Sequence, residues 1–400
     1  MSLLRIGRVL FGMLVAIGAI RSSAACGSFD SANVGDAGTD GPILATEAGG
    51  ADAASDAAMD VTVAPCVGVG FKVDAGASSC PELLASGQQT PLHVAVTGTR
   101  LYWTNFGGLA EDGLVMASGL DGSSPSLFAL PTAIEDKHPK FIVASGGFVY
   151  WGTQAGLTPG PDPELNQTGA VLRRAADGLG PISSFVGPSG SAYTPRGIAV
   201  DASSVYWMSA NGSVVYSALG GGPSALLRGQ AGIVEANDLV VDATGVVFVA
   251  RGVSGGNPGV VEGLPFDAGA SRLPMIQNRA GFPWSVRLST SGSNLFWTER
   301  GAPDAGSGTL NKTSRLGSGM LVLATSLNHP QFLAVDATHV YVTVQGLGAS
   351  DGEIRRVNLD GDAPMLLVSG LAQPHGITVD ATHIYWTTPG DGRVWRMKKP

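Results

Sequence analysis

The chain has 400 residues, of which 58 are Gly and 24 Pro, while only 14% are charged and 44% are apolar. Helix bundles and coiled coils need charged surface stripes, so this balance excludes them and suits many short buried strands joined by tight turns. A net charge of −8 leaves no electrostatic footprint for nucleic acid, and no such partner is expected.

In chain order, the first feature is an export signal. Arg5 and Arg8 precede an apolar run over residues 9–20, and Ser23-Ala24-Ala25-Cys26 follows. The run is too short to span a bilayer comfortably but suits the core of a signal peptide, here residues 1–25. Small residues before Cys26 resemble a bacterial lipobox, with Ser23 where Leu is usual; the alternative is plain cleavage after Ala25. Three cysteines leave one over. If Cys66 pairs with Cys80, Cys26 is the one available for lipidation, and each buried CH₂ of the acyl chains would add about 0.8 kcal/mol of anchoring. The expected location is the bacterial cell envelope, at the outer membrane and through a lipid anchor only, or outside the cell if Cys26 stays unmodified.

Residues 26–65 are mostly Ala, Gly, Asp, Ser and Thr, with Phe29 the lone aromatic. Such a stretch cannot bury enough apolar surface to offset its ordering entropy, so it is read as a disordered tether. A lead-in bracketed by Cys66 and Cys80 occupies 66–81, and nothing beyond it is long and apolar enough to cross a membrane.

From residue 82 to the end the sequence repeats. A hairpin reading PHGITVDATHIYWT from Pro374 recurs from Pro91, Pro139, Pro195, Ala236, Pro283 and Pro330. Aligned at its aromatic pair, the seven copies start at Tyr102, Tyr150, Tyr206, Val247, Phe296, Tyr341 and Tyr385, spaced 41 to 56 residues apart. That is the size of one four-stranded propeller blade. Pro opens the inner strand, where its missing N–H costs no ladder bond. Asp-Ala-Thr or its equivalent makes the turn, and the second strand carries the aromatics. A glycine precedes a third strand, and turns such as Leu359-Asp360-Gly361 lead to an outer one. The seventh copy ends at Pro400 without its outer strand. Glu82-Leu83-Leu84-Ala85-Ser86-Gly87 before Pro91 matches Met365-Leu366-Leu367-Val368-Ser369-Gly370 before Pro374, and is expected to complete the last blade and remove the exposed edge. The fold expected is all-β: a seven-bladed propeller over 82–400, with six blades the alternative.

Tyr102-Trp103-Thr104-Asn105 and its fellows resemble the YWTD propellers of lipoprotein receptors and the NHL-like propellers. The pattern is closest to uncharacterised bacterial propeller lipoproteins. The resemblance spans about residues 82–400 and implies the fold. It departs from the receptor pattern in having no Asp after Tyr-Trp-Thr, the residues there being Asn105, Thr153, Ser209, Ala250, Glu299, Val344 and Thr388, and in its seven copies where six are usual.

Strand parity places the outer-to-inner and second-to-third connections on one face. The longest connections, 152–167, 251–258, 299–307 and 345–351, lie there, so a ligand is expected on that face. The residue after each proline equivalent differs from blade to blade. Leu92 with its neighbour His93, then Lys140, Arg196, Asn237, Trp284, Gln331 and His375, are the binding candidates. His339 and His383 belong to turns on the other face. His93, His138, His329 and His375 fall near the inner-strand prolines of four blades made contiguous by ring closure, an arrangement that would suit a divalent metal or acid–base chemistry. Their offsets from Pro differ, however, and no carboxylate holds a matched position. No resident cofactor is expected beyond such a metal. The readings are a monomeric envelope module binding a protein, peptide or glycan, or else a metal-dependent propeller enzyme similar to streptogramin lyases or lactonases.

Overall fold

The computed structural model describes residues 72–73, 79–108, 113–130, 137–154, 169–185, 195–209, 212–228, 236–252, 259–267, 273–279, 281–302, 306–361 and 364–400. They form seven antiparallel sheets, six of four strands and one of five, in the order of a seven-bladed propeller. Among these residues no helix is long and apolar enough to cross a membrane. Cys26 and Cys66 lie outside the described residues; Cys80 is disulfide-bonded.

The aromatic pair explains how blades adhere. Successive side chains of a strand point to opposite faces, so residues i and i+1 serve two junctions. Tyr102 packs with Trp151 of blade two, while Trp103 packs with Tyr385 of blade seven. The same division holds for Tyr150 and Trp151, Tyr206 and Trp207, and Phe296 and Trp297. The core is therefore a necklace of seven apolar clusters, one at each junction. Tyr102, Trp103, Phe296, Trp297, Tyr385 and Trp386 have no solvent exposure at all.

Ring closure follows the sequence expectation. The strand Glu82–Ala85 pairs antiparallel with Arg393–Lys398, with Leu83 opposite Trp395 and Ala85 opposite Val394. Arg396 spans the seam, donating to the Glu82 carboxylate at 2.6 Å and to the Leu120 carbonyl of blade one at 2.9 Å. The lead-in does something the sequence did not signal. Lys72–Val73 adds a fifth strand to blade six, opposite Ser369 and Val368.

Two repeated residues are also accounted for. The third-strand glycine abuts the next blade's proline: a Cβ at Gly113 would sit 2.7 Å from Pro139 Cδ, and one at Gly169 2.8 Å from Pro195 Cδ. Gly259, Gly308 and Gly352 meet Pro283, Pro330 and Pro374 in the same way. Turn aspartates accept backbone N–H bonds, as Asp380 does from Thr382 and His383 at 2.7 Å, and also accept the Tyr385 hydroxyl at 2.8 Å.

Candidate functional site

The mouth position is built by a local irregularity. In blades one to six the inner strand carries a register shift beside its first residues, between Pro91 and Val94, Pro139 and Phe141, Arg196 and Ile198, Ala236 and Asp238, Pro283 and Ser285, and Pro330 and Leu333. A β-bulge leaves a residue outside the ladder and re-aims its side chain. Leu92, Lys140, Asn237, Trp284 and Gln331 fall within these shifts and Arg196 at the edge of one, so their side chains are not dictated by sheet pairing.

The backbones of Leu92, Lys140, Gln331 and His375 are nonetheless fixed, by the Thr of the preceding blade's aromatic strand. Thr104 Oγ1 accepts the His93 amide at 3.1 Å and donates to the Lys140 carbonyl of the next blade at 2.9 Å. Thr298 does this between Ser285 and Gln331, Thr343 between Phe332 and His375, and Thr387 between Gly376 and Leu92. Blades two, three and four have Gly152, Met208 and Val249 instead. The role of this Thr needs the neighbouring blade to be seen.

The residue preceding proline is the other fixed element. Thr90, His138, Phe282, His329 and Gln373 all adopt left-handed φ values between 52° and 57°. Such non-glycine residues cost about 1–3 kcal/mol each and persist where the surroundings dictate them. Here the conformation turns a carbonyl toward the second-to-third connection: Thr90 accepts from Phe106, His138 from Gln154, Phe282 from Arg300 and His329 from Gln345, at 3.0 to 3.2 Å. His tolerates this region better than most residues. His138 and His329 are thus turn residues, and the ring of His138 is held against Phe106 with Nδ1 at 2.9 Å from its carbonyl oxygen.

His93 and His375, by contrast, do converge. Their ring centroids lie 5.1 Å apart, and His93 also meets Phe141 at 4.8 Å and Phe332 at 4.3 Å. Blades one and six are not neighbours, so a contact between His93 and Phe332 crosses the central channel. Ile198 and Trp284 pack against the same apolar cluster. The channel is therefore plugged by aromatic and imidazole rings. Among the described residues no three His, Cys, Asp or Glu side chains form a metal-binding group.

Among the described residues the rim carries Lys140, Arg251 and Arg300. Arg300 lies over the Trp284 ring at 4.4 Å and donates to Gln345 Oε1 at 3.0 Å, which also accepts from Gln331 Nε2 at 2.6 Å. Lys140 Nζ sits 5.5 Å from the Phe141 centroid. Burial, then the charge of Arg251, lowers the Arg300 guanidinium from its usual value. Burial also pushes His375 down to about 3, helped by Lys140 and Arg300 against the bond to the Leu92 carbonyl. His93 is held well below the usual imidazole range by burial, then by His375, Lys140 and Arg287. Both rings are neutral at pH 7. Asn237 Nδ2 reaches the Pro283 carbonyl at 3.4 Å.

Among the described residues, Asp238 and Glu299 are ion-paired. Asp238 accepts from Arg287 and from Ser285 Oγ, each at 2.6 Å. Glu299 takes Arg279 at 2.7 and 2.9 Å and the Trp297 indole at 2.9 Å, filling the position where the receptor-type repeat has Asp. The acid–base pairs themselves, and the additional cations Arg251 and Arg300, lay beyond the repeat-position logic. A separate cleft of about 670 Å³ opens between blades two and three, lined by Phe148, Tyr150, Arg173 and Asp201. Its Arg173 is flanked by Phe148 and Phe185 and donates to the Leu219 carbonyl at 2.8 Å. His339 and His383, each the first residue of the strand after a turn, bond the Thr338 and Thr382 hydroxyls at 2.7 Å.

No family model and no curated protein matches the chain. Among solved structures it is similar to a catalytically inactive virginiamycin B lyase from Staphylococcus aureus with quinupristin, with a TM-score of 0.61 and 13% identity over 80% of this chain and 99% of that one. It is also similar to a gluconolactonase from Xanthomonas campestris (TM-score 0.48, 13% identity, covering 82% and 90%) and to a chain of a nidogen–laminin complex (TM-score 0.46, 18% identity, covering 58% and 87%). At 13% identity the first of these likenesses shows the propeller fold alone.

Proposed function

We propose that this is an exported, envelope-anchored binding module, monomeric and held to the membrane through Cys26, that takes a protein, peptide or glycan on the mouth face of its propeller. One observation carries the reading. The channel is plugged by His93, Phe141 and Phe332, and in blades one to six the inner strand offers a different side chain beside a bulge. A scaffold that fixes backbone while freeing side chains is how recognition is built on a repeat. The signal segment and low-complexity tether support the location, and a Cys66–Cys80 bridge would secure the lead-in to the domain.

The test is capture from an envelope extract by residues 66–400. A partner retained by the parent domain and lost on Trp284→Ala or Lys140→Ala, but not on Asp360→Ala on the opposite face, supports it. Capture insensitive to every mouth substitution defeats it.

A second reading is favoured by the His93–His375 pair. Two neutral imidazoles 5.1 Å apart, with His93 Nε2 buried and without a hydrogen bond, could share a divalent metal for an elimination or ring-opening reaction. Lys140, Arg287 and Arg300 oppose it, because their charges act on these rings and repel a cation. Stoichiometric zinc or manganese in the purified protein, lost on His93→Ala and His375→Ala, would make this the correct reading.

A further inference from the structure

The face opposite the mouth carries a gap in the repeat. A tyrosine opens the aromatic pair in five blades, at Tyr102, Tyr150, Tyr206, Tyr341 and Tyr385. Tyr206, Tyr341 and Tyr385 donate their hydroxyls to the turn aspartates Asp201, Asp336 and Asp380. Tyr102, whose turn has Thr97 in place of Asp, donates to the Ala176 carbonyl instead. In blade two the turn position is Ser145, followed by Gly146 and Gly147 at φ 58° and 78°. Tyr150 is 1% exposed, and its hydroxyl has no hydrogen-bond partner among the described residues. A buried donor left in that state is costly.

The missing carboxylate coincides with the cleft of about 670 Å³, walled by Phe148, Tyr150 and Arg173 of blade two and by Val200, Asp201 and Leu219 of blade three. That size suits a small molecule. Arg173 supplies the second set of donors. Its guanidinium is held between Phe148 and Phe185, 4.8 and 5.1 Å from their centroids, and Nη1 donates to the Leu219 carbonyl at 2.8 Å. Nε is buried without a partner, and Nη2 makes no bond either. Those two groups form the guanidinium edge that takes a carboxylate at two points.

No acid of the protein fills this role. The turns framing the cleft, 145–147, 176–182, 201–203 and 219–224, are all described and contain Asp177 and Asp201. Asp177 accepts the Leu179 amide at 2.8 Å. Asp201 accepts the Ser203 amide and hydroxyl, the Ser204 amide and the Tyr206 hydroxyl, at 2.7 to 2.9 Å. Neither pairs with Arg173.

We propose that this cleft binds a small aromatic carboxylic acid, its carboxylate taken by the unpaired edge of Arg173 and the Tyr150 hydroxyl, and its ring laid against Phe148. The site is separate from the mouth and does not depend on what the mouth binds.

The experiment is calorimetric titration of the full chain with benzoate, 2-naphthoate, benzamide and acetate. One of the aromatic acids should bind at least roughly tenfold more tightly than benzamide, which lacks the charge, and than acetate, which lacks the ring. Arg173→Gln should weaken binding by a similar factor, and Tyr150→Phe by roughly two- to tenfold. Ser145→Asp restores the aspartate of the other turns and gives Tyr150 the partner that Tyr206 has. It should abolish binding while leaving the denaturation midpoint unchanged or raised, so the test survives if Arg173→Gln fails to fold. Tyr385→Phe, in a blade whose tyrosine is already paired, should bind as the parent does. Benzamide or acetate binding as tightly as the aromatic acids overturns the proposal. So does binding that persists in Ser145→Asp, or failure of both aromatic acids to bind.

Discussion

Acidification from pH 7 to pH 5 should weaken this fold through its channel floor before any carboxylate responds. His375 is held down to about 3 by burial and by Lys140 and Arg300, against an ordinary value of 6.5. The unfolded chain takes up a proton below pH 6.5 that the folded protein refuses, so stability is complete above that pH and falls as pH drops toward the folded value. Each pH unit in the window removes about 1.4 kcal/mol. Between pH 6.5 and 5 His375 alone accounts for about 2 kcal/mol, a ceiling because the ring keeps partial solvent contact. His93 is shifted in the same direction and adds to the loss. Asp201, Asp336 and Asp380 are also held below the usual 3.8: burial would raise them, but turn amides outweigh it, with Tyr hydroxyls helping at Asp201 and Asp380 and Lys399 at Asp336. Their contribution is lost only below about pH 4, which leaves pH 4.5–6.5 to the histidines. The assay is urea unfolding at pH 7, 6 and 5 of the parent and of His375→Gln. The parent should lose stability across the series, and the variant should lose it more slowly by up to about 1.4 kcal/mol per pH unit. Equal slopes, or a parent that gains stability toward pH 5, would refute the account.

Removing residues 1–81 should leave cooperative unfolding intact, whereas removing 1–90 strips Glu82–Ala85 from blade seven and should give an expanded or aggregating product by size exclusion. If both truncations behave alike, that strand does not close the ring. Gly169→Ala forces a Cβ to within 2.8 Å of Pro195 Cδ and should cost about 1–3 kcal/mol, while Gly98→Ala, which meets nothing within 4 Å, should stay within about 0.5 kcal/mol in thermal unfolding. Thr343→Val removes the donor to the His375 carbonyl at 2.7 Å and should cost about 1–2 kcal/mol; an unchanged denaturation midpoint would mean this tie between blades six and seven contributes nothing.

The fold was legible because its determinants are local and repeated. Proline, turn aspartate, the Tyr-Trp pair and the third-strand glycine each recur at one position, and the displaced strand at Glu82–Ala85 betrays itself by matching Met365–Leu371. Strand parity alone sorts the connections between the two faces. Of the four histidines near the mouth, sequence spacing grouped all; coordinates brought together only His93 and His375. That outcome depends on φ at the residue before proline and on which way a bulge turns the residue after it.

Sequence by itself pointed to seven blades over six and to the way the ring closes, because strand alternation and turn chemistry act over a few residues. Tertiary structure alone decided that Phe332 crosses to His93, that Arg300 lies on Trp284, that Asp238 and Glu299 are consumed by Arg287 and Arg279, and that Lys72–Val73 joins blade six. Apart from Arg300 and Trp284, which share blade five, those contacts join different blades or the lead-in to a blade. Their meeting is set by how each sheet is inclined about the axis, which no stretch of neighbouring residues encodes.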